Sequence, residues 1–196
     1  MWVADHLGVL HRDRADIASG EHPALAWSAE HTNHRGLTGT LKDAIAGADV
    51  FIGVSAPGIL TGDDIATMAK DSIVFAMANP EPEVDPVAAA QHAAVVATGR
   101  SDFANQINNV LVFPGVFRGL LDAASTSIDE DVMLAAAKAL SEVVHPEELN
   151  AAYIIPSVFH PDVSKVVAAA VKAAVLGTTP EQVPTRRMAE EPEFIG

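Results

Sequence analysis

The run ADVFIGVSAPG, Ala48–Gly58, is continuously apolar through its first half, rich in β-branched and aromatic residues, and then breaks into serine, proline and glycine. A strand with one wet face would alternate. An uninterrupted run of this length reads as a strand covered on both faces of a parallel sheet. Three further runs share its character: Trp2–Ala4, SIVFAMAN (Ser72–Asn79) and AAVVATG (Ala93–Gly99). Between them lie the helix-like segments TLKDAIAGA (Thr40–Ala48), TGDDIATMAK (Thr61–Lys70) and DPVAAAQH (Asp85–His92). Thr61 and Asp85 suit N-cap positions, Pro86 suits a first helical residue, and Gly47 suits a helix stop. The alternation gives βαβ units with right-handed crossovers. The expected fold class is α/β, a Rossmann-like doubly wound parallel sheet with C-terminal helices.

The segment Arg12–Gly39 is less distinct, with one helix expected over PALAWSAEH. After Gly99 the pattern becomes helical in VFRGLLDAA, DEDVMLAAAKALSEVV (Asp129–Val144) and PDVSKVVAAAVKAAVL (Pro161–Leu176). Asp129, Glu130 and Asp131 crowd a helix start, where the dipole favours anions. From Gly177 the sequence is polar and broken by proline, which reads as an extended arm or a disordered tail. The expected organisation is one domain over 1–176 and a tail over 177–196.

Composition narrows the function. Of 196 residues 49% are hydrophobic and 19% charged, a globular balance. The net charge of -14 opposes a nucleic-acid partner. No apolar run reaches the ~18 residues of a membrane span, and the N-terminus lacks the basic-then-apolar order of a signal peptide. The absence of cysteine excludes disulfides, thiolate metal sites and cysteine nucleophiles, and fits a cytoplasmic protein.

Each strand-like run ends in small or polar residues: Asp5; Gly53-Val54-Ser55-Ala56-Pro57-Gly58; Asn79-Pro80; and Thr98-Gly99-Arg100-Ser101-Asp102. Turns need such residues anyway. Four such ends delivered to one edge of an open parallel sheet, where ligands bind, point to a site. Asp5 fits either a ribose-binding acid or a turn aspartate before Gly8, and Arg12 and Arg14 lie close enough in sequence to serve a phosphate. Neither glycine-rich phosphate fingerprint, G-x-G-x-x-G or G-x-x-x-x-G-K-[ST], occurs. His31 and His34 lack a third ligand nearby, and Glu81, Glu83 and Asp85 suit a helix start better than a cation. Ser101 and Asp102 have no histidine in their loop. Asn79, Asn108 and Asn109 offer uncharged donors and acceptors suited to carboxylate and hydroxyl oxygens or to a nicotinamide amide; Asn108 equally suits a helix cap.

GADVFIGVSAPGILT, IVFAMANPEPEVDP, ATGRSDFANQINNVLVFPGVFRGLLDAAST and AAYIIPSVFHP, in this order, closely resemble the NAD-binding domain of bacterial-type malic enzymes from about Trp2 to Leu176. The resemblance implies oxidative decarboxylation of malate to pyruvate and CO2, with NAD or NADP and with Mg²⁺ or Mn²⁺. By position it makes Asp5 the ribose-binding acid and Gly53, Ser55 and Ala56 the cofactor-facing loop. It gives Asn79, Asn108 and Asn109 to malate and the nicotinamide end, with Asn105 and Gln106 as supports. Asp5 leans toward NAD, and the nearby arginines leave room for NADP. The parent would be a dimer.

The resemblance also implies that the proton-shuttling lysine and tyrosine, the metal ligands and the glycine-rich loop lie earlier in the family's chain. No catalytic residue or metal ligand is assigned here, and Lys42, Lys70 and Tyr153 do not match those positions. It aligns Met1 with the start of the second Rossmann strand, so the central first strand is expected to be missing. A chain so cut should rearrange, swap a strand, dimerise or sit beside a companion, and should be inactive alone. The alternative function is a non-catalytic α/β scaffold or interaction module.

Overall fold

The computed structural model describes residues 1–19 and 21–187. The chain forms two compact units, one ending at Gly99 and the next beginning at Arg100.

The first unit opens with a hairpin of β1 (Ala4–Asp5) and β2 (Gly8–Val9), antiparallel with Ala4 opposite Val9. The Trp2–Ala4 run is therefore not a strand of the parallel sheet, as its apolar character suggested. The chain turns back at once because the Asp5 carboxylate accepts the Leu7 N–H at 2.8 Å and Gly8 adopts φ 110°, a left-handed backbone open to glycine. Helices α1 (Ala15–Ala18) and α2 (Pro23–His31) follow, the latter over the residues expected.

The remainder is α3 (Leu41–Ile45), β3 (Val50–Gly53), α4 (Gly62–Ala66), β4 (Ile73–Ala76), α5 (Pro86–Ala89) and β5 (Val95–Thr98). The strands form a three-stranded parallel sheet in the order β3-β4-β5, with Val50 beside Ile73 and Ile73 beside Val95. Thr40 and Thr61 begin α3 and α4 with reciprocal capping boxes to Asp43 and Asp64. Asp85 caps α5 by accepting the Ala88 N–H at 2.8 Å. The core joins Ile45 of α3, Ile65 of α4 and Ala89 of α5 to Phe51, Val74 and Ala76, one face of the sheet. Val50 and Ile52 point to the other face.

The second unit is helical: a 3-10 turn at Asn109–Leu111, α6 (Phe113–Asp122), α7 (Glu130–Ser141) and α8 (Val163–Leu176). Its core gathers Leu111, Val116, Leu120, Val132, Ala136, Val167 and Val171. A Cβ at Gly115 would sit 2.6 Å from Val167, and one at Gly119 would sit 2.6 Å from the Ala168 carbonyl, so both glycines are needed for α6 to lie against α8. Asp129 caps α7, and Gly177 ends α8 at φ 63°. Beyond it, residues 178–187 form no helix or strand. The Arg186 N–H bonds the Asp162 carboxylate at 3.2 Å, and the Thr185 carbonyl lies 3.2 Å from His145 Nε2. The arm or disorder expected for 188–196 lies outside the described residues.

Candidate functional site

Because β3, β4 and β5 run parallel, the loops leaving them share one rim of the first unit. Gly53 is buried there, while Ser55, Ala56 and Asn79 are exposed. A fully buried carboxylate, Glu83 at 0% exposure, ties these loops together. One oxygen accepts the Ser55 N–H at 2.8 Å and the Ser55 hydroxyl at 3.1 Å; the other accepts the Ala78 N–H at 3.0 Å. Gly53 is glycine for the same reason, since a Cβ there would lie 2.5 Å from the Glu83 carboxyl carbon. Burying a carboxylate is tolerable only when its oxygens are hydrogen-bonded, and here that requirement fixes the spacing between Ser55 and the residue before Asn79.

Asp5 stands apart from these strands, in the β1–β2 turn. Arg14 grips it with two bonds, at 2.8 Å and 2.6 Å, and grips Asp16 with two more, at 2.8 Å and 2.7 Å. The guanidinium holds the carboxyls of both Asp5 and Asp16 below the usual carboxylate range. Asp16 and then Asp5 raise the pKa of Arg14 in return. Two carboxylates on one guanidinium leave the cluster net negative.

In the second unit Asn108 caps the 3-10 turn by accepting the Val110 N–H at 3.0 Å, and Asn109 is exposed at its first position. Asn105 is buried, donating to the Ala151 carbonyl and accepting from the Ile154 N–H, both at 2.8 Å. It thereby joins the carboxamide-rich loop to the segment around Tyr153. An open cleft of about 470 Å³ lies here, with Phe103, Gln106, Asn108, Tyr153, Ser157 and Phe159 in its walls and no ionisable acid or base among them except the tyrosine phenol.

The structure thus groups Gly53, Ser55, Ala56 and Asn79 on one rim of the first unit, with Asp5 elsewhere in that unit. Asn108 and Asn109 sit at the α6 entrance in the second. Among the described residues no three or more histidine, aspartate or glutamate side chains group as a metal site. Glu83 is engaged by backbone donors, Asp85 by its helix, and His31 stacks on Trp27 with ring centroids 4.3 Å apart. The residues present do not fit Mg²⁺ or Mn²⁺. Sequence reading missed the inward turn of Glu83 and the packing role of Gly115 and Gly119. The i,i+4 spacing of those glycines on an apolar helix was the available signal.

The family described as "Malic enzyme, NAD binding domain" matches residues 1–176. An NAD-dependent malic enzyme of Geobacillus stearothermophilus is 55% identical over 174 residues, covering 89% of this chain and 36% of the relative. An NADP-dependent malic enzyme of Rhizobium meliloti (strain 1021) is 39% identical over 195 residues, covering 90% of this chain and 24% of the relative. The crystal structure of Entamoeba histolytica malic enzyme superposes with a TM-score of 0.81 at 34% identity, covering 94% of this chain and 39% of that one. The chain therefore spans about a third or less of the length of these curated relatives, 36% and 24%.

Proposed function

The chain belongs to the malic enzyme family, as its NAD-binding domain, and from that premise we propose that it is the cofactor-holding portion of an enzyme that oxidatively decarboxylates malate to pyruvate and CO2 while reducing NAD(P). The observation that carries this reading is the rim of the parallel sheet, where Glu83 fixes Ser55 relative to Ala78 and leaves Ser55, Ala56 and Asn79 facing water. Open parallel sheets bind nucleotides at this rim. Its neutral hydroxyl and carboxamide suit a nicotinamide ribose in chemistry.

In this reading Gly53, Ser55 and Ala56 form the cofactor-facing loop, and Asn79, Asn108 and Asn109 hold malate and the nicotinamide amide. Held by these residues, a nicotinamide cofactor would supply a hydride acceptor for the malate carbinol carbon. The chain's own residues contribute orientation, with the carboxamides acting as paired donors and acceptors. Asp5 accepts the ribose hydroxyls by sharing its oxygens with Arg14. The net negative cluster opposes a 2′-phosphate, which supports NAD over NADP. The described residues offer no group of three or more acidic or histidine side chains that could hold a divalent cation. The reading takes the parent to be a cytoplasmic, metal-dependent dimer on the strength of the family resemblance, and takes this chain alone to be inactive.

Calorimetric titration with NAD and NADP tests the proposal. The expected result is saturable binding weaker than micromolar, NAD ahead of NADP, because no glycine-rich helix start cradles the pyrophosphate. Micromolar affinity would contradict that argument. No binding even at tens of millimolar would overturn the cofactor role and favour a scaffold.

A further inference from the structure

We infer, on the premise of that cofactor role, that Ser55 determines what the loop after β3 binds: Glu83 makes its hydroxyl a pure acceptor, which takes a hydrogen bond from a ribose hydroxyl and refuses a phosphate. A serine hydroxyl has one proton to donate and two lone pairs. The Ser55 proton is spent inward, on the Glu83 carboxylate at 3.1 Å, and the Ser55 N–H goes to the same oxygen at 2.8 Å. Both donors of Ser55 are therefore committed behind the loop. What the exposed residue has left for a ligand is lone pairs. A phosphate oxygen is itself an acceptor and finds no partner there. A ribose hydroxyl brings the proton that the site lacks.

Charge points the same way. From Gly53 to Gly58 and from Met77 to Asp85 there is no lysine, arginine or histidine, whereas Glu81, Glu83 and Asp85 are acids. Glu83 is 0% exposed, so water screens its charge poorly and an anion beside Ser55 is repelled. The arrangement is also held in place. The other Glu83 oxygen accepts the buried Ala78 N–H at 3.0 Å. The two loops are further stitched by the Gly58 N–H to the Pro82 carbonyl at 3.0 Å and the Leu60 N–H to the Glu83 carbonyl at 2.9 Å. These backbone bonds do not need the Ser55 hydroxyl, so Ser55→Ala removes the acceptor and keeps the loop. Glu83 acts on the ligand only through Ser55, as a positioning residue.

Titration of the isotope-labelled full chain, followed at the Ser55 and Ala56 amide resonances, tests this with three probes: nicotinamide riboside, its 2′,3′-dideoxy analogue and inorganic pyrophosphate. The riboside should shift both resonances saturably, and pyrophosphate at the same concentrations should shift neither. The dideoxy analogue should bind at least threefold more weakly than the riboside, because a site built to bond a hydroxyl discriminates against a ligand without one. Ser55→Ala, read at Ala56, should bring the two nucleosides to within twofold of each other. Glu83→Gln should also narrow their ratio, since its amide offers an oxygen to one loop and turns a donor toward the other; circular dichroism confirms that both variants fold. A merely structural role would weaken both nucleosides alike and leave the ratio unchanged. A ratio that survives Ser55→Ala would overturn the inference, as would pyrophosphate shifting Ser55 and Ala56 as the riboside does, or a riboside that shifts neither. Calorimetric binding of NAD with Ser55 silent would sink this inference alone and leave the cofactor role standing; a riboside response without NAD binding would do the reverse.

Discussion

In the second unit α6 and α8 approach until Gly115 and Gly119 have no room for a methyl group, whereas in the first unit Ile52 is 61% exposed one residue from Phe51 of the core. The helical unit covers the facing sides of α6 and α8 by interlocking them, while Phe117 and Leu121 on α6 stay exposed. The sheet unit is covered on one face only, where α3, α4 and α5 cover Phe51, Val74 and Ala76. Parallel sheets are ordinarily covered on both faces. The difference teaches that the contact between α6 and α8 rests on close packing, whereas the rim of the sheet rests on polar anchoring. In the first unit Glu83 supplies that anchoring at the rim proposed to hold the cofactor.

The strongest way to break the contrast is to remove that anchor. Glu83→Ala leaves the Ser55 and Ala78 N–H groups without their acceptor, at ~1–3 kcal/mol for each buried group, so a total near 3 kcal/mol or more is expected. Trp2 and Trp27, the only tryptophans, both lie in the first unit. Their fluorescence in urea should show an earlier transition, while the helical signal of the second unit shifts less. Next comes Gly119→Val, which drives a branched side chain into the Ala168 carbonyl and Val171. Overpacking of this kind costs ~1–3 kcal/mol, and circular dichroism should report the loss in the helical unit with tryptophan fluorescence spared. Asn105→Ala should cost about 2 kcal/mol, since it strips partners from the Ala151 carbonyl and the Ile154 N–H. Hydrogen exchange at Ile154 checks it.

Two smaller effects sharpen the picture. Thr61→Ala should cost ~1 kcal/mol through the lost α4 cap, read from the tryptophan-monitored urea midpoint. Arg14 holds the Asp5 carboxyl below its ordinary range. The pair's stabilisation is therefore complete above about pH 4, the unfolded value, and is lost as pH falls through the lower native value. Asp5→Asn should flatten that acid limb by less than ~1 kcal/mol, since both groups are partly solvated. Urea midpoints measured from neutral to acid pH decide it.

The parallel strands were legible because Val50–Gly53, Ile73–Ala76 and Val95–Thr98 are short unbroken apolar runs, and the helix starts because Thr61 and Asp85 are caps and three acids crowd the start at Asp129. The Trp2–Ala4 run misled, because local turn chemistry at Asp5 and Gly8 outweighs three apolar residues. Glu83 was unreadable for another reason. Between Glu81 and Asp85 it looks like a solvated helix start, and only the three-dimensional path brings Ser55 and Ala78 to it. Asn105 likewise finds its partners 46 and 49 residues away. Short-range chemistry was visible in the sequence; partnerships closed across the chain were not.

The central claim is that this chain holds a nicotinamide cofactor but not the groups that move protons and grip a metal. Incubating the purified chain with malate, Mn²⁺ and NAD or NADP, and following absorbance of the reduced cofactor, tests it most directly. The account predicts no steady reduction above the protein-free rate; sustained turnover in proportion to protein concentration would contradict it.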